Sequence, residues 1–427
     1  MERSGPAVTR LRHIADGLLG AIREACGERG PRRRVSPQDL GLPVPRAPCP
    51  GEASRAVHIG IDSHSAERAG EGNATYSRNL ISALFGAAGE EDFVLFAANP
   101  EHPFYRTLPR RGHSGPVRVG QGRGIARLAW TLSRAAAREG LDCLHVQYVA
   151  PLRYRGPIVL TVHDLGFLHQ PDSFPLGLRL ALRVLVTRSV AQARRIITDS
   201  EFARRDIVAR YAVHPDKVVA IPLAAGAGFH PRDSAETTQV LARYGLRPGF
   251  LFSLGRLNRR KNLERLLLAH ARLRASGASD APLVIGGKPD YGVEDVLRRA
   301  RRSGPGAAIR WMGLIPDDDL PLFYSGAACF VYPSLFEGFG LPVLEAMACG
   351  TPVVTSNRTA LPELTGDAAL LIDPDSVDEL AAALARVLND AALARELGGR
   401  GLERSRRYSW AETARRTLAV YRDAVSG

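Results

Sequence analysis

Short apolar segments of strand length alternate with helix-length segments along most of this chain, and the series runs twice. The first run holds residues 56–62, 93–96, 143–146, 158–162, 195–198 and 218–221. A polar connection from Pro231 to Gln239 follows. The second run then holds residues 250–254, 283–285, 309–312, 329–332, 352–355 and 369–372. Runs rich in Val, Ile and Leu, without polar alternation, read as strands buried on both faces. A parallel neighbour needs a crossover long enough to be a helix, so strands spaced by helices pair in parallel. The fold class is therefore α/β, with two doubly wound parallel-sheet domains. A length of 427 residues, too great for one ordinary core, agrees with two domains. The expected boundaries are 56–230 and 231–407, followed by a last helix at about 408–427. Residues 1–55, with Arg32, Arg33, Arg34 and the prolines 43, 45, 48 and 50, read as a basic extension ordered at most in part.

Composition narrows the function classes. Hydrophobic content of 45% and charged content of 24% are those of a soluble globular protein. No run approaches the ~20 apolar residues needed to span a bilayer. No apolar segment precedes a small-residue cleavage site near the N-terminus, so a cytoplasmic location is expected. The five cysteines (26, 49, 143, 329 and 349) show no paired spacing, which argues against a disulfide framework and a zinc site. Of the net charge of +13, +10 falls in the first 246 residues. That excess suits an anionic acceptor or peripheral contact with an anionic inner membrane face. Nucleic acid is the weakest reading, because no basic segment is interleaved with aromatics.

Sheets of this kind bind ligands beyond the carboxyl ends of their strands, so two facing domains place a site in the cleft between them. Strand 250–254 runs into Gly255-Arg256-Leu257-Asn258-Arg259-Arg260-Lys261-Asn262. Arg256 and Lys261 bracket a strand-to-helix turn and could clamp a diphosphate, while Arg259 and Arg260 read as solvated. Strand 158–162 ends in His163-Asp164. That histidine either meets a substrate or is a satisfied structural one. Gly70 and Gly72 let backbone approach a ligand, but Gly-x-Gly-x-x-Gly is absent, which disfavours a NAD role. Glu337 and Glu345 stand eight positions apart, one in a glycine turn and one in the helix behind it. Exposed N–H groups beside two carboxylates suit a phosphorylated, polyhydroxylated ligand; the alternative is a surface glutamate and a capping one. Asp317-Asp318-Asp319 precedes an apolar helix, so helix capping is simpler than metal binding.

Together these residues resemble the retaining glycosyltransferases of family 4. The matching stretches are Thr161-Val162-His163-Asp164, Gly255-Arg256 with Lys261-Asn262, Pro333-Ser334 through Gly350, and Leu361-Pro362-Glu363 with Gly366-Asp367-Ala368-Ala369. The resemblance implies a GT-B fold, two Rossmann-like domains facing across a cleft, with the last helix crossing back onto the first. It implies that Arg256 and Lys261 hold the donor diphosphate and stabilise the leaving group. Glu345 would bind ribose hydroxyls. Glu337 and the backbone of Gly338, Phe339, Gly340 and Leu341 would hold the donor sugar and its phosphate. His163 would reach the sugar from the first domain, and backbone near Gly313-Leu314 would meet the base. Gly72 begins Gly72-Asn73-Ala74-Thr75-Tyr76, where the family often has a glycine-richer donor loop. His163, Arg256, Lys261 and Glu337 are thus the expected catalytic residues.

The expected reaction is metal-independent and needs no cofactor. A sugar moves from a nucleotide sugar, GDP-mannose favoured over UDP-sugars, to a hydroxyl of a glycan or glycolipid. The family's front-face displacement would retain configuration, with the leaving phosphate deprotonating the acceptor. The first loop, the segment Arg123 to Arg138 and the helix Leu178 to Arg188 would shape the acceptor side. The alternative is a non-catalytic sugar-nucleotide-binding scaffold on the same fold.

Overall fold

The computed structural model describes residues 57–426 apart from 69, 71, 110–115, 120–126, 295, 297 and 299–307. The extension 1–55 and part of the Arg123–Arg138 segment lie outside the described residues. Each apolar run forms a strand. The first sheet holds β1 (His58–Asp62), β2 (Asp92–Ala97), β3 (Val117–Arg118), β4 (Cys143–Gln147), β5 (Ile158–Thr161), β6 (Arg195–Thr198) and β7 (Val218–Ala220). The second holds β8 (Phe250–Leu254), β9 (Leu283–Gly286), β10 (Ile309–Gly313), β11 (Ala327–Tyr332), β12 (Val353–Ser356) and β13 (Leu370–Ile372). Every pairing is parallel. Strand β3 was not expected, because two residues at a sheet edge leave no apolar run to read.

The two sheets wind alike. Their orders are β3-β2-β1-β4-β5-β6-β7 and β10-β9-β8-β11-β12-β13. Each run starts inside the sheet, moves to one edge, then returns to the other side of its first strand. The reversal leaves a crevice between β1 and β4, and another between β8 and β11, at the strands' carboxyl ends. These are two Rossmann-like α/β domains.

Among the helices are α1 (Gly72–Ala87), α2 (Leu176–Gln192), α3 (Glu201–Tyr211), α4 (Leu263–Ala275), α5 (Leu341–Ala348) and α6 (Trp410–Ser426), of which α1 and α5 line the cleft. Helix α6 ends the described chain yet packs on α1 and the first sheet. Its apolar stripe, including Ala414, Leu418, Tyr421 and Ala424, is buried. Full burial of one such leucine is worth about 1.5–3 kcal/mol. Polar contacts fix its register: His145 Nδ1 lies 2.6 Å from the Tyr421 hydroxyl, and Arg422 Nε donates to Glu91 at 2.8 Å. Leu418→Asp would place an unpaired charge in this seam and detach the helix.

The halves also meet directly across the cleft. The Ser200 hydroxyl donates to Gly338 O at 2.7 Å. The Glu363 carboxylate accepts the N–H groups of Glu201 and Phe202, each at 2.9 Å, and so caps α3 from the opposite half. A Cβ at position 338 would lie 2.2 Å from His163 O, so only glycine lets these two turns approach. Among the described residues no helix is long and apolar enough to cross a membrane.

Candidate functional site

A cavity of about 300 Å³ lies between the halves, at the carboxyl ends of both sheets. Its C-terminal wall starts at β8. A single 3-10 turn, Arg259–Lys261, follows that strand's exit loop. Asn262 then takes a left-handed φ of 57° and turns the chain into α4. The Asn262 amide donates to Pro333 O at 3.1 Å and Pro374 O at 2.6 Å, tying this turn to the one that carries Glu337. Lys261 Nζ reaches Glu337 Oε1 at 2.5 Å and also donates to the Tyr332 hydroxyl. Lysine and glutamate are both buried. Burial alone would raise the Glu337 pKa, but Lys261 and Arg260 hold the carboxyl below its usual range. Burial pulls the Lys261 pKa down, against the attraction of Glu337.

Arg260 overturns one expectation. Arg259 is exposed, as expected of a solvated loop, but Arg260 lines the cavity. Its Nη1 donates to Asp164 of the opposite half at 2.9 Å. Consecutive residues of a 3-10 turn point about 120° apart, so one faces water and the next faces the cleft. Nothing in an Arg-Arg pair says which is which. Arg256 lines the cavity with a side chain 57% exposed, held by Asp290 at 2.8 Å. The C-terminal wall therefore presents three cations at different depths.

Behind the turn, Gly340 takes a φ of 107° at the start of α5. Its carbonyl accepts from Val343 and Leu344, and Pro342 has no N–H, so Leu341 carries the first-turn N–H that no carbonyl of the helix can accept. The backbone from Gly338 to Leu341 lines the cavity at that end. Glu345 sits one turn further in. Burial pushes its carboxyl up to about 8, although the Tyr324 hydroxyl donates to Oε2 at 2.9 Å. Hydroxyls that donated to it would favour the carboxylate and lower that pKa. Of the residues expected here, Leu314 lines the cavity and Gly313 does not. Gly313 closes β10 at a φ of 64°, and its carbonyl accepts from Gly287 N. The acidic triplet lies beside this wall: Tyr244 donates to Asp319, whose side chain makes no capping bond to the helix it precedes.

The N-terminal wall brings Gly72 from the start of α1, and His163 and Asp164 from the end of β5. His163 Nδ1 lies 2.8 Å from Asp199 Oδ2, and Nε2 lies 3.2 Å from Gln147 Oε1. Burial disfavours the imidazolium, but the Asp199 carboxylate outweighs it and raises the histidine pKa. Tyr76 packs edge-on against that ring at 4.6 Å, and Tyr148 at 5.6 Å. Tyr148 lines the cavity at a φ of 56°, a strained conformation for an aromatic residue. The sequence gives no sign of it, since no residue type marks a left-handed tyrosine.

Residues 71–224 match the family model described as Glycosyltransferase Family 4, and residues 243–404 match that described as Glycosyl transferases group 1. Over 265 residues the chain is 35% identical to O-antigen chain mannosyltransferase B of Escherichia coli, covering 62% of this chain and 70% of that protein. The chain belongs to glycosyltransferase family 4. It is an enzyme of sugar transfer, as its relatives are. Among solved structures, sucrose-phosphate synthase from Thermosynechococcus elongatus aligns with a TM-score of 0.68 at 24% identity, covering 86% of this chain and 99% of that one. HepE from Anabaena, solved with UDP-glucose, aligns with a TM-score of 0.67 at 17% identity, covering 86% of this chain and 99% of that one. At these identities the two structures establish the fold, which is GT-B.

Proposed function

We propose that this glycosyltransferase moves mannose from GDP-mannose to a hydroxyl of a glycan or glycolipid, with retention of configuration and without a metal ion. The observation that carries this reading is the buried Lys261–Glu337 pair beside Arg260 and Arg256 at the β8/β11 crevice. Breaking the anomeric bond loads negative charge onto a departing nucleoside diphosphate. Fixed cations and the N-terminus of α5 aimed at that charge lower the barrier. Arg256 and Lys261 hold the diphosphate in this reading, and Glu345 takes the ribose hydroxyls. Glu337 and the backbone from Gly338 to Leu341 hold the sugar, and His163 reaches it from the opposite wall.

Retention is supported by how the carboxylates are spent. Asp164 pairs with Arg260, Asp199 with His163 and Glu337 with Lys261. Each is committed to a cation, which leaves it a poor covalent nucleophile. The departing phosphate then takes the acceptor's proton on the same face. The closed cleft, with Gly338 against His163, excludes water and favours transfer over hydrolysis. Mannose is supported by the name of the Escherichia coli relative.

A thermal-shift screen of nucleoside diphosphates and their sugars tests the donor. A ligand at 100 Kd stabilises by about 2.7 kcal/mol. Guanosine diphosphate is expected to raise the melting temperature, and stabilisation by uridine diphosphate alone would move the reading to a UDP-sugar. No response to any nucleotide removes the donor site. Activity should persist in a chelator, and the anomeric proton coupling of the product reports configuration.

A further inference from the structure

Four of the large apolar side chains exposed on this protein stand on one helix. Leu176, Leu178, Leu180 and Val184 of α2 are 48–59% exposed. Leu176, Leu180 and Val184 are spaced four apart, and Arg183, Thr187 and Arg188 are exposed along the same side. The opposite side, with Ala181, Val186, Ser189 and Val190, is buried against the sheet. The donor chemistry uses none of these residues.

Charge along this segment has one sign. Between Asp172 and Asp199 there is no acidic residue and there are five arginines. The surface continues past the helix: Arg188 donates to Leu152 O at 2.6 Å, and the next residue, Arg153, lays its guanidinium 3.6 Å from the ring of Trp130, itself 44% exposed. Leucines, a tryptophan and arginines on one outward face make a surface that sits at the boundary between lipid headgroups and acyl chains.

We propose that this face of α2 docks the enzyme on an anionic lipid bilayer. A second copy of the chain is the main rival occupant. An isologous pair through α2 would gather the arginines of both helices in one seam with no acid on either helix to neutralise them, which disfavours it. Anionic headgroups neutralise the arginines while the leucines enter the interface. The placement suits a lipid-linked acceptor. The turn Pro171–Ser173, just before α2, packs against the Arg259–Lys261 turn of the donor wall. Docking through α2 therefore sets the cleft mouth close to the membrane plane. The docking itself is read without turnover, so it stands or falls apart from the donor assignment.

Flotation of the full chain with vesicles tests this. Vesicles of phosphatidylglycerol in phosphatidylcholine should carry the protein, phosphatidylcholine alone should not, and rising salt should weaken the binding. The double variant Leu180→Gln/Val184→Gln should lose at least about tenfold in vesicle affinity. Arg183→Gln should lose about fivefold. Leu268→Gln, at an exposed leucine of the other half, should bind as wild type. All these sites are exposed, so melting temperatures should stay at the wild-type value and confirm intact folds. Absence of binding, equal binding to neutral vesicles, or undiminished binding by the double variant overturns the proposal. A concentration-dependent dimer that the double variant dissolves would assign the face to a second copy and overturn it as well.

Discussion

The two walls of the cleft come from sheets with the same winding, yet they are built differently. The C-terminal wall concentrates charge: Arg256, Arg260 and Lys261 leave one strand-to-helix turn, and Glu337 and Glu345 come from the next crossover. The N-terminal wall offers one histidine, two aspartates that are each paired, two tyrosines and glycine backbone. The same winding thus supplies a crevice twice, and among the described residues the lining cations Arg256, Arg260 and Lys261 all come from the C-terminal half. In the proposed reading the C-terminal wall holds the part of the donor that gains charge, and the N-terminal wall positions what receives the sugar.

Removing a cation from the charged wall should have the largest effect. Lys261→Ala is expected to lower transfer by about 10²–10³-fold. It also leaves Glu337 buried with one cation fewer, so unfolding in urea should show a loss of about 3 kcal/mol. An unchanged rate at unchanged stability would mean the pair is ornamental. Glu345→Gln on the same wall should act in the other direction on stability. The Glu345 carboxyl has a folded pKa of about 8, above its unfolded value. Its penalty is therefore absent below the unfolded pKa and grows as pH rises toward 8. The variant should gain roughly 1–3 kcal/mol at pH 8 and nothing in acid, read from melting curves at both pH values. A gain that did not change with pH would contradict the burial account.

The N-terminal wall should respond less. Asp199→Asn removes the carboxylate that raises the His163 pKa, so the imidazolium should titrate at lower pH in the variant. The sign is fixed: stability from this pair is present below the unfolded histidine pKa and lost as pH rises through the folded one. Imidazole proton shifts against pH would check it, and an unmoved midpoint would sink the pairing. Arg256→Ala should have the smallest effect on stability. Its side chain is more than half exposed where it pairs with Asp290, so the change should stay within about 0.5 kcal/mol while donor affinity falls several-fold.

The contrast between the walls also explains what could be read in advance. Strands buried on both faces announce themselves as apolar runs, which is why β1 and β8 were legible and two-residue β3 was not. The charged lining of the C-terminal wall was legible because its charges cluster in short spans: Arg256 with Lys261, and Glu337 with Glu345. Arg260 was misread because a 3-10 turn decides orientation residue by residue. Gly313 was expected beside the base; it closes β10 outside the cavity lining, while Leu314 next to it lines the cavity. Asp199 and Tyr148 were missed because they reach the site through long-range folding: Asp199 pairs with a residue 36 positions earlier.

Isothermal titration of guanosine and uridine diphosphates into the wild type and the Lys261→Ala variant, both below their melting temperatures, tests the central claim most directly. The account predicts that guanosine diphosphate binds the wild type and binds the folded variant at least about tenfold more weakly. Equal affinity in the two proteins, or no binding of either nucleotide to the wild type, would contradict it.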